Sequence, residues 1–392
     1  EQLRSLTPVT SHKLDSWGVA DQKASGRCWI FAGLNSLRGG LMDKAKLKDF
    51  ELSQTYIYFF DKLEKANWFL TAVDELKDRD ITDRTLTKLM DDPIGDGGQW
   101  SMFVSLVEKY GVVPKYAMPE TASSEASAML NRNLQTVLRR AAHQIRVGKS
   151  GAQEQALADV YRILTANLGL PPTDFQWQYR DKDDNFYREG TFTPQDFARE
   201  YLPKDLGEYV CVVNDPRNNY GELYTVDYLG NVAGEKVTYL NAPVEVLRDA
   251  TRSAIEDGQP VWFGCDTSQQ SDADSGVWAK RLHDYEGLYG VEMGIDKPDR
   301  LRLHESLMTH AMVFTGADIA EGGDVTRWRV ENSWGTEKGD KGFWTMADDW
   351  FDEYVFEIAV HPSRLPEQYQ EALKSTEITT LPAWDPMGAL AN

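Results

Sequence analysis

A cysteine, a histidine and an asparagine, widely spaced in this chain, have the residue types of a nucleophile, its base and the group that orients the base. Cys28 stands in Gln22-Lys-Ala-Ser-Gly-Arg-Cys28-Trp29, at the mouth of a helix predicted to start there. The free N–H groups and positive end of a helix favour a thiolate at such a place. A structural cysteine is expected mid-helix, on the apolar face. Gly26 is expected to let the chain turn tightly just before the nucleophile. A thiolate needs a proton partner, and six histidines are available. His310, in Leu307-Met-Thr-His310-Ala-Met-Val-Phe, heads a β-type run, and taken alone it reads as a packed core histidine. Asn332, in Val330-Glu-Asn332-Ser-Trp-Gly335, changes that reading. An amide at a strand end can hold an imidazole so that its other nitrogen faces sulfur. Trp334 can shield that hydrogen bond from water.

The elements that must carry these residues divide the chain by character. Ile30, Leu34, Leu37 and Leu41 share one face of a helix predicted from Cys28 to about Lys48, with Gly39-Gly40 weakening its far end. Ser53 is an N-cap type before Tyr56, Phe60 and Leu63, and Gln99–Tyr110 reads as a further helix ended by Gly111 and Pro114. Residues 120–168 hold no proline and read as a helical hairpin, broken by Pro171-Pro172. From 208 onward, short β-type runs follow: Tyr209–Val213, Lys236–Leu240, Val261–Phe263, Ala311–Phe314 and Trp328–Val330. One helix, Pro243–Glu256, interrupts them. The expectation is an α+β protein with a helical lobe at 1–119, a helical insertion at 120–205, a strand-rich lobe at 206–360 and a C-terminal arm at 361–392. A site between two lobes is a common arrangement.

Composition narrows the class. Lys and Arg number 42 against 62 Asp and Glu, a net charge of −20 that repels phosphate backbones and argues against nucleic acid as a partner. The basic stretch Arg132, Arg139, Arg140, Arg146 and Lys149 reads as a solvated helix face. Three cysteines cannot all pair, no charged-then-apolar leader opens the sequence, and no apolar run approaches the ~18 residues of a membrane helix. A reducing cytoplasm is the expected compartment. No cofactor is implied, and no histidine spacing suggests a metal.

Ser25-Gly26-Arg27-Cys28-Trp29, together with Asn332-Ser-Trp-Gly335, resembles the papain-like cysteine peptidases, most closely the bleomycin hydrolase and aminopeptidase C branch. Ser25 replaces the cysteine of the Cys-Gly-Ser/Ala-Cys-Trp signature. His310 and Asn332 also lie about 150 residues farther from Cys28 than in papain-type enzymes, which suits a helical insertion. The resemblance implies a two-lobe papain-like fold, with helical and β-barrel-like lobes, and peptide hydrolysis by Cys28, His310 and Asn332. It implies an oxyanion role for Gln22 with the Cys28 N–H, and substrate pairing by Gly97 and Gly98 of the Gly95-Asp96-Gly97-Gly98-Gln99-Trp100 run.

The ending, Leu381-Pro-Ala-Trp384-Asp-Pro-Met-Gly388-Ala-Leu-Ala391-Asn392, resembles the family's C-terminal arm. The resemblance implies an extended segment in the cleft, with Ala391 and Asn392 against the substrate and a terminal carboxylate that pairs with its free ammonium. The activity implied is a cysteine aminopeptidase, extending to bleomycin-hydrolase activity, in a homohexamer. Only 27 residues precede Cys28, fewer than in relatives, so truncation or a different assembly is expected. Family tails end at Ala, which makes Asn392 a residue for self-processing. Two other readings compete: a nucleic-acid-binding regulator, disfavoured by charge, and an inert interaction protein, disfavoured by the intact triad.

Overall fold

The computed structural model describes residues 6–14 and 17–391. Helix α1 (Cys28–Ala45) runs unbroken through Gly39-Gly40 and ends where Lys46 turns left-handed, slightly earlier than predicted. Its predicted stripe is buried. In α2 (Gln54–Glu75), Ser53 is the N-cap and its hydroxyl accepts from the Tyr56 N–H at 3.1 Å. The short α3 (Arg84–Asp91) follows. Next comes α4 (Trp100–Tyr110), which stops at Gly111 with φ 74°. After the one-turn α5 (Ala122–Glu125), α6 (Ala128–Arg146) and α7 (Ala152–Leu168) form the expected hairpin. They pack on α2 through Leu130, Leu134, Leu138, Val160 and Leu164, all buried.

The 120–205 segment is not wholly helical. Strands β2 (Phe175–Arg180) and β3 (Phe186–Phe192), preceded in the chain by β1 (His12–Lys13), pair as an antiparallel hairpin before α8 (Pro194–Tyr201). Phe175, Trp177 and Tyr179 alternate toward Phe197 and Tyr201, a period-two pattern that favours strand over helix.

The second lobe is a mixed sheet. Its strands are β4 (Val210–Val213), β5 (Leu223–Val226), β6 (Tyr239–Asn241), β7 (Val261–Cys265), β8 (Ser271–Asp272), β9 (Val277–Trp278), β10 (His310–Ile319), β11 (Val325–Glu331), β12 (Phe343–Ala347), β13 (Val355–Val360) and β14 (Ile378–Leu381). Their order is β14-β5-β6-β4-β13-β7-β10-β11-β12-β9-β8, with β1 also paired to β10. Helix α9 (Val244–Glu256) covers one face, against β10 and β13. On the other face α1 packs on β10 and β7, which sets the start of α1 beside the start of β10. Among the described residues, no helix is long and apolar enough to cross a membrane.

Candidate active site

Cys28 is the first residue of α1, and no side chain caps that end. The loop before it is held by Arg27, whose side chain is fully buried. Arg27 pairs with Glu120 at 2.9 Å, donates from Nε to Ser25 Oγ at 2.9 Å, and faces the Phe31 and Tyr58 rings. The chain bends at Ser25-Gly26 as expected, and glycine there also serves a close approach. A Cβ there would stand 2.7 Å from Asp96 Cβ, so glycine permits close approach, and its N–H donates to Asp96 Oδ2 at 3.0 Å.

His310 opens β10 opposite Cys265 of β7. Its Nε2–H donates to Asn332 Oδ1 at 2.9 Å. The Ser333 N–H donates to the same oxygen at 2.8 Å, which fixes the amide orientation and leaves Nδ1 of the ring uncommitted. Trp334 lies 4.7 Å from the imidazole at 32° and is itself backed edge-on by Trp344. Gln22 is also pinned. Its Nε2 donates to Ser25 O and its Oε1 accepts from Ser333 Oγ, both at 2.6 Å. The Asn-Ser-Trp run therefore orients the amide ahead of Cys28 as well as the imidazole.

The Cys28 sulfur lies against the backbone N–H groups of Ala311, Trp29 and Cys28, and Ala311 directly follows His310. Among the described hydrogen bonds, none joins sulfur to the ring. Burial pushes the Cys28 thiol up to about 11, outweighing those N–H groups, and pushes His310 down to about 4, with the Asn332 bond opposing. The helix N-terminus pulls toward thiolate as expected, but burial of both groups favours an uncharged thiol and imidazole.

Buried ion pairs that sequence reasoning missed hold these parts in register. Arg38 of α1 meets Glu331 at 2.6 Å, and Trp17 Nε1 donates to the same carboxylate at 2.8 Å, so the helix that starts with Cys28 is tied to the residue before Asn332. Asp96 accepts from Tyr58, Ser127 and Asn131, and pairs with Lys62 at 2.7 Å. Those partners hold its carboxyl far below the usual range despite burial. Lys62 and Lys65 also donate to carbonyls of the glycine run, and Asp61 balances Lys65 at 2.9 Å. On sequence alone, Asp61-Lys62 and Lys65 look like an exposed charged face. The neighbouring Tyr56–Phe60 aromatics were the only cue to burial.

The tail packs against the glycine run. A Cβ on Gly97 would collide with the Leu390 carbonyl, and one on Gly98 with the Trp29 ring, so both glycines are needed for contact. Leu390 is buried, with its side chain toward Gly264 beside Met308. Gln99 Nε2 and Tyr239 OH both donate to Met387 O at 3.2 Å. The segment is not extended as expected: Pro386–Ala391 is a 3-10 turn, and the extended stretch comes earlier, as β14. Proline at its start and the carboxylate of Asp385, which accepts from the Met387 N–H at 2.9 Å, favour the turn. Ala391, partly buried, ends the described chain, and Asn392 lies outside the described residues.

The model of the Peptidase C1-like family matches residues 1–388. The chain is 43% identical to an aminopeptidase C of Listeria monocytogenes, covering 99% of this chain and 89% of that protein. It is 42% identical to a bleomycin hydrolase of Homo sapiens, covering 95% and 86%. The crystal structure of PepW from Lactobacillus rhamnosis superimposes with a TM-score of 0.96 at 41% identity, covering 98% of this chain and 89% of that one.

Proposed function

The chain belongs to the Peptidase C1-like family and is a cysteine aminopeptidase with a papain-like fold, and on that premise we propose that Cys28, His310 and Asn332 perform its chemistry. The Cys28 sulfur attacks the first peptide carbonyl as its proton passes to Nδ1 of His310. Asn332 holds the ring through Nε2. The paired charges then offset part of each other's burial. Gln22, fixed by Ser25 and Ser333, turns its remaining amide proton to the oxyanion together with the Cys28 N–H. His310 returns the proton to the leaving amine, then acts as base for the water that cleaves the thioester. Gly97 and Gly98 offer backbone to the substrate, and Trp334 shields the ring.

The observation that carries the aminopeptidase reading is the Leu390 carbonyl lying on Gly97. A tail on the segment that would pair with an extended substrate leaves room for one end only. A terminal carboxylate on this arm, as the resemblance implies, would pair with a substrate ammonium, a contact of ~1.5–3 kcal/mol. Deleting Gly388–Asn392 is expected to release cleavage of N-blocked peptides, abolished again by Cys28→Ala. A deleted enzyme unable to cut them overturns the reading. The bleomycin hydrolases among the relatives make bleomycin a second amide substrate to assay.

The divisions at 119, 205 and 360 remain our proposed domain boundaries. A reducing cytoplasm is supported by three buried free cysteines. We propose a homohexamer, as the family resemblance implies; exposed Leu288, Tyr289, Val291, Met293 and Leu303 in the 288–303 segment are apolar groups that contact with a second copy would bury. Monomer mass in solution would overturn it. Arg139 and Arg146 are engaged with the carbonyls of Met90, Asp91 and Arg79, which further weakens a nucleic-acid role.

A further inference from the structure

We propose that Asp385, clamped by Arg217, is a positioning residue that sets how the tail enters the cleft, and with it the preference for terminal over internal bonds. This rests on the reading of the tail given above.

The path of the chain shows where control lies. Strand β14 adds in parallel to β5, and the last bond of that pairing region runs from the Asp227 N–H to Leu381 O at 2.9 Å. Trp384 then lies under the Arg84 guanidinium, 3.9 Å from the ring centre. At Asp385 the chain bends inward. One carboxylate oxygen, Oδ1, accepts from Arg217 Nη2 at 2.8 Å and from the Met387 N–H at 2.9 Å. The bend is closed by the Asp385 N–H to Pro382 O and the Gly388 N–H to Asp385 O. The same group therefore fastens the tail to the strand-rich lobe and starts the turn that ends at Ala391.

Arg217 is itself held on its other side. Its Nε and Nη2 grip Asp215 at 2.9 and 2.8 Å. Asp215 is held by Asn218 Nδ2 at 2.8 Å, and its N–H donates to Asn241 Oδ1 at 2.9 Å. Side-chain exposures of 13% for Arg217, 3% for Asp215 and 9% for Asp385 exclude most water from this fork. The other anchors are weaker or misplaced. Arg84 is exposed, so water competes for its stack. The strand pairing stops before the bend, and the two bonds to Met387 O are between neutral groups. Among the described residues, only the Arg217–Asp385 contact is charged, shielded and located at the bend. Removing one partner of such a pair leaves the other charge unmatched and frees what it held.

The test uses full-length enzyme carrying Arg217→Met, beside the Gly388–Asn392 deletion, assayed on a free-amine aminoacyl-coumarin and on an N-acetylated peptidyl-coumarin. Arg217→Met is expected to raise kcat/KM on the blocked substrate by about tenfold, as expected when a desolvated ion pair is cut and neutral contacts remain. On the free-amine substrate KM should rise while kcat holds. Arg217→Lys should fall between, because an ammonium cannot reproduce the fork that spans two carboxylates. A merely structural role predicts both activities falling together. That result, or unchanged selectivity while the deletion variant does cut the blocked substrate, overturns the clamp and leaves the tail reading intact. A deletion variant inert on the blocked substrate overturns the tail reading itself.

Discussion

Replacing Glu357 by glutamine should stabilise this enzyme at neutral pH. Glu357 is fully buried on β13, opposite Val213 of β4 and Gly264 of β7. The Cys211 thiol, a weak donor, faces it, and among the described residues no stronger donor meets either oxygen. Burial pushes its carboxyl up to about 8 from an ordinary 4.5. The native state thus keeps a proton that the unfolded chain has already released. The stability linked to that proton is complete below 4.5 and is lost as pH rises through about 8. At about pH 7 the gap spans roughly two and a half pH units at ~1.36 kcal/mol each, or about 3 kcal/mol. Glutamine carries no such penalty, so Glu357→Gln should gain about that much at neutral pH, and the gain should shrink toward zero near pH 4.5. Urea unfolding followed by tryptophan fluorescence across this range measures it, as a midpoint shift at constant slope. A pH-independent gain, or a loss at neutral pH, would refute the assignment of a protonated Glu357.

Other expectations follow from the site. Gln22→Ala should lower kcat by about 10²–10³ with KM little changed, because the amide proton not held by Ser25 meets the oxyanion, which exists only along the reaction; steady-state kinetics on an aminoacyl-coumarin reads this directly. Asp96→Ala should destabilise by ~3–5 kcal/mol, leaving Lys62 charged and buried without its partner. The double variant with Lys62→Met should recover much of that loss in the same unfolding assay. Additive losses would count against the pairing.

The residues proposed to carry the reaction were legible as candidates because their chemistry restricts both type and setting. Cys28 before an apolar helical stripe and Asn332 in Asn-Ser-Trp needed no knowledge of packing. Helix α1 and the Ser53 cap were legible for the same local reason: spacing and capping act within a few residues. The β2–β3 hairpin was missed because the helical reading of its surroundings was carried past Pro171-Pro172, although Phe175, Trp177 and Tyr179 alternate. Positions set by distant partners were not legible. Arg38–Glu331, Lys62–Asp96 and Arg217–Asp385 join residues far apart in sequence, and each alone reads as surface charge. The 3-10 form of the tail was hidden likewise, since small residues permit a strand and a turn equally. The neutral resting thiol follows from the burial of Cys28, a tertiary effect that the helix end alone does not report.

The account depends on sulfur at Cys28 passing its proton to His310. The most direct test is the pH dependence of iodoacetamide labelling, located by peptide mass mapping, in the wild type and in His310→Ala. A single label on Cys28 is expected, with appreciable reaction well below the pH at which the isolated buried thiol would ionise, about 11. In His310→Ala the rate near neutral pH should fall by at least about tenfold, in line with loss of a general base. An identical profile in the two proteins, or labelling confined to Cys211 or Cys265, would contradict it.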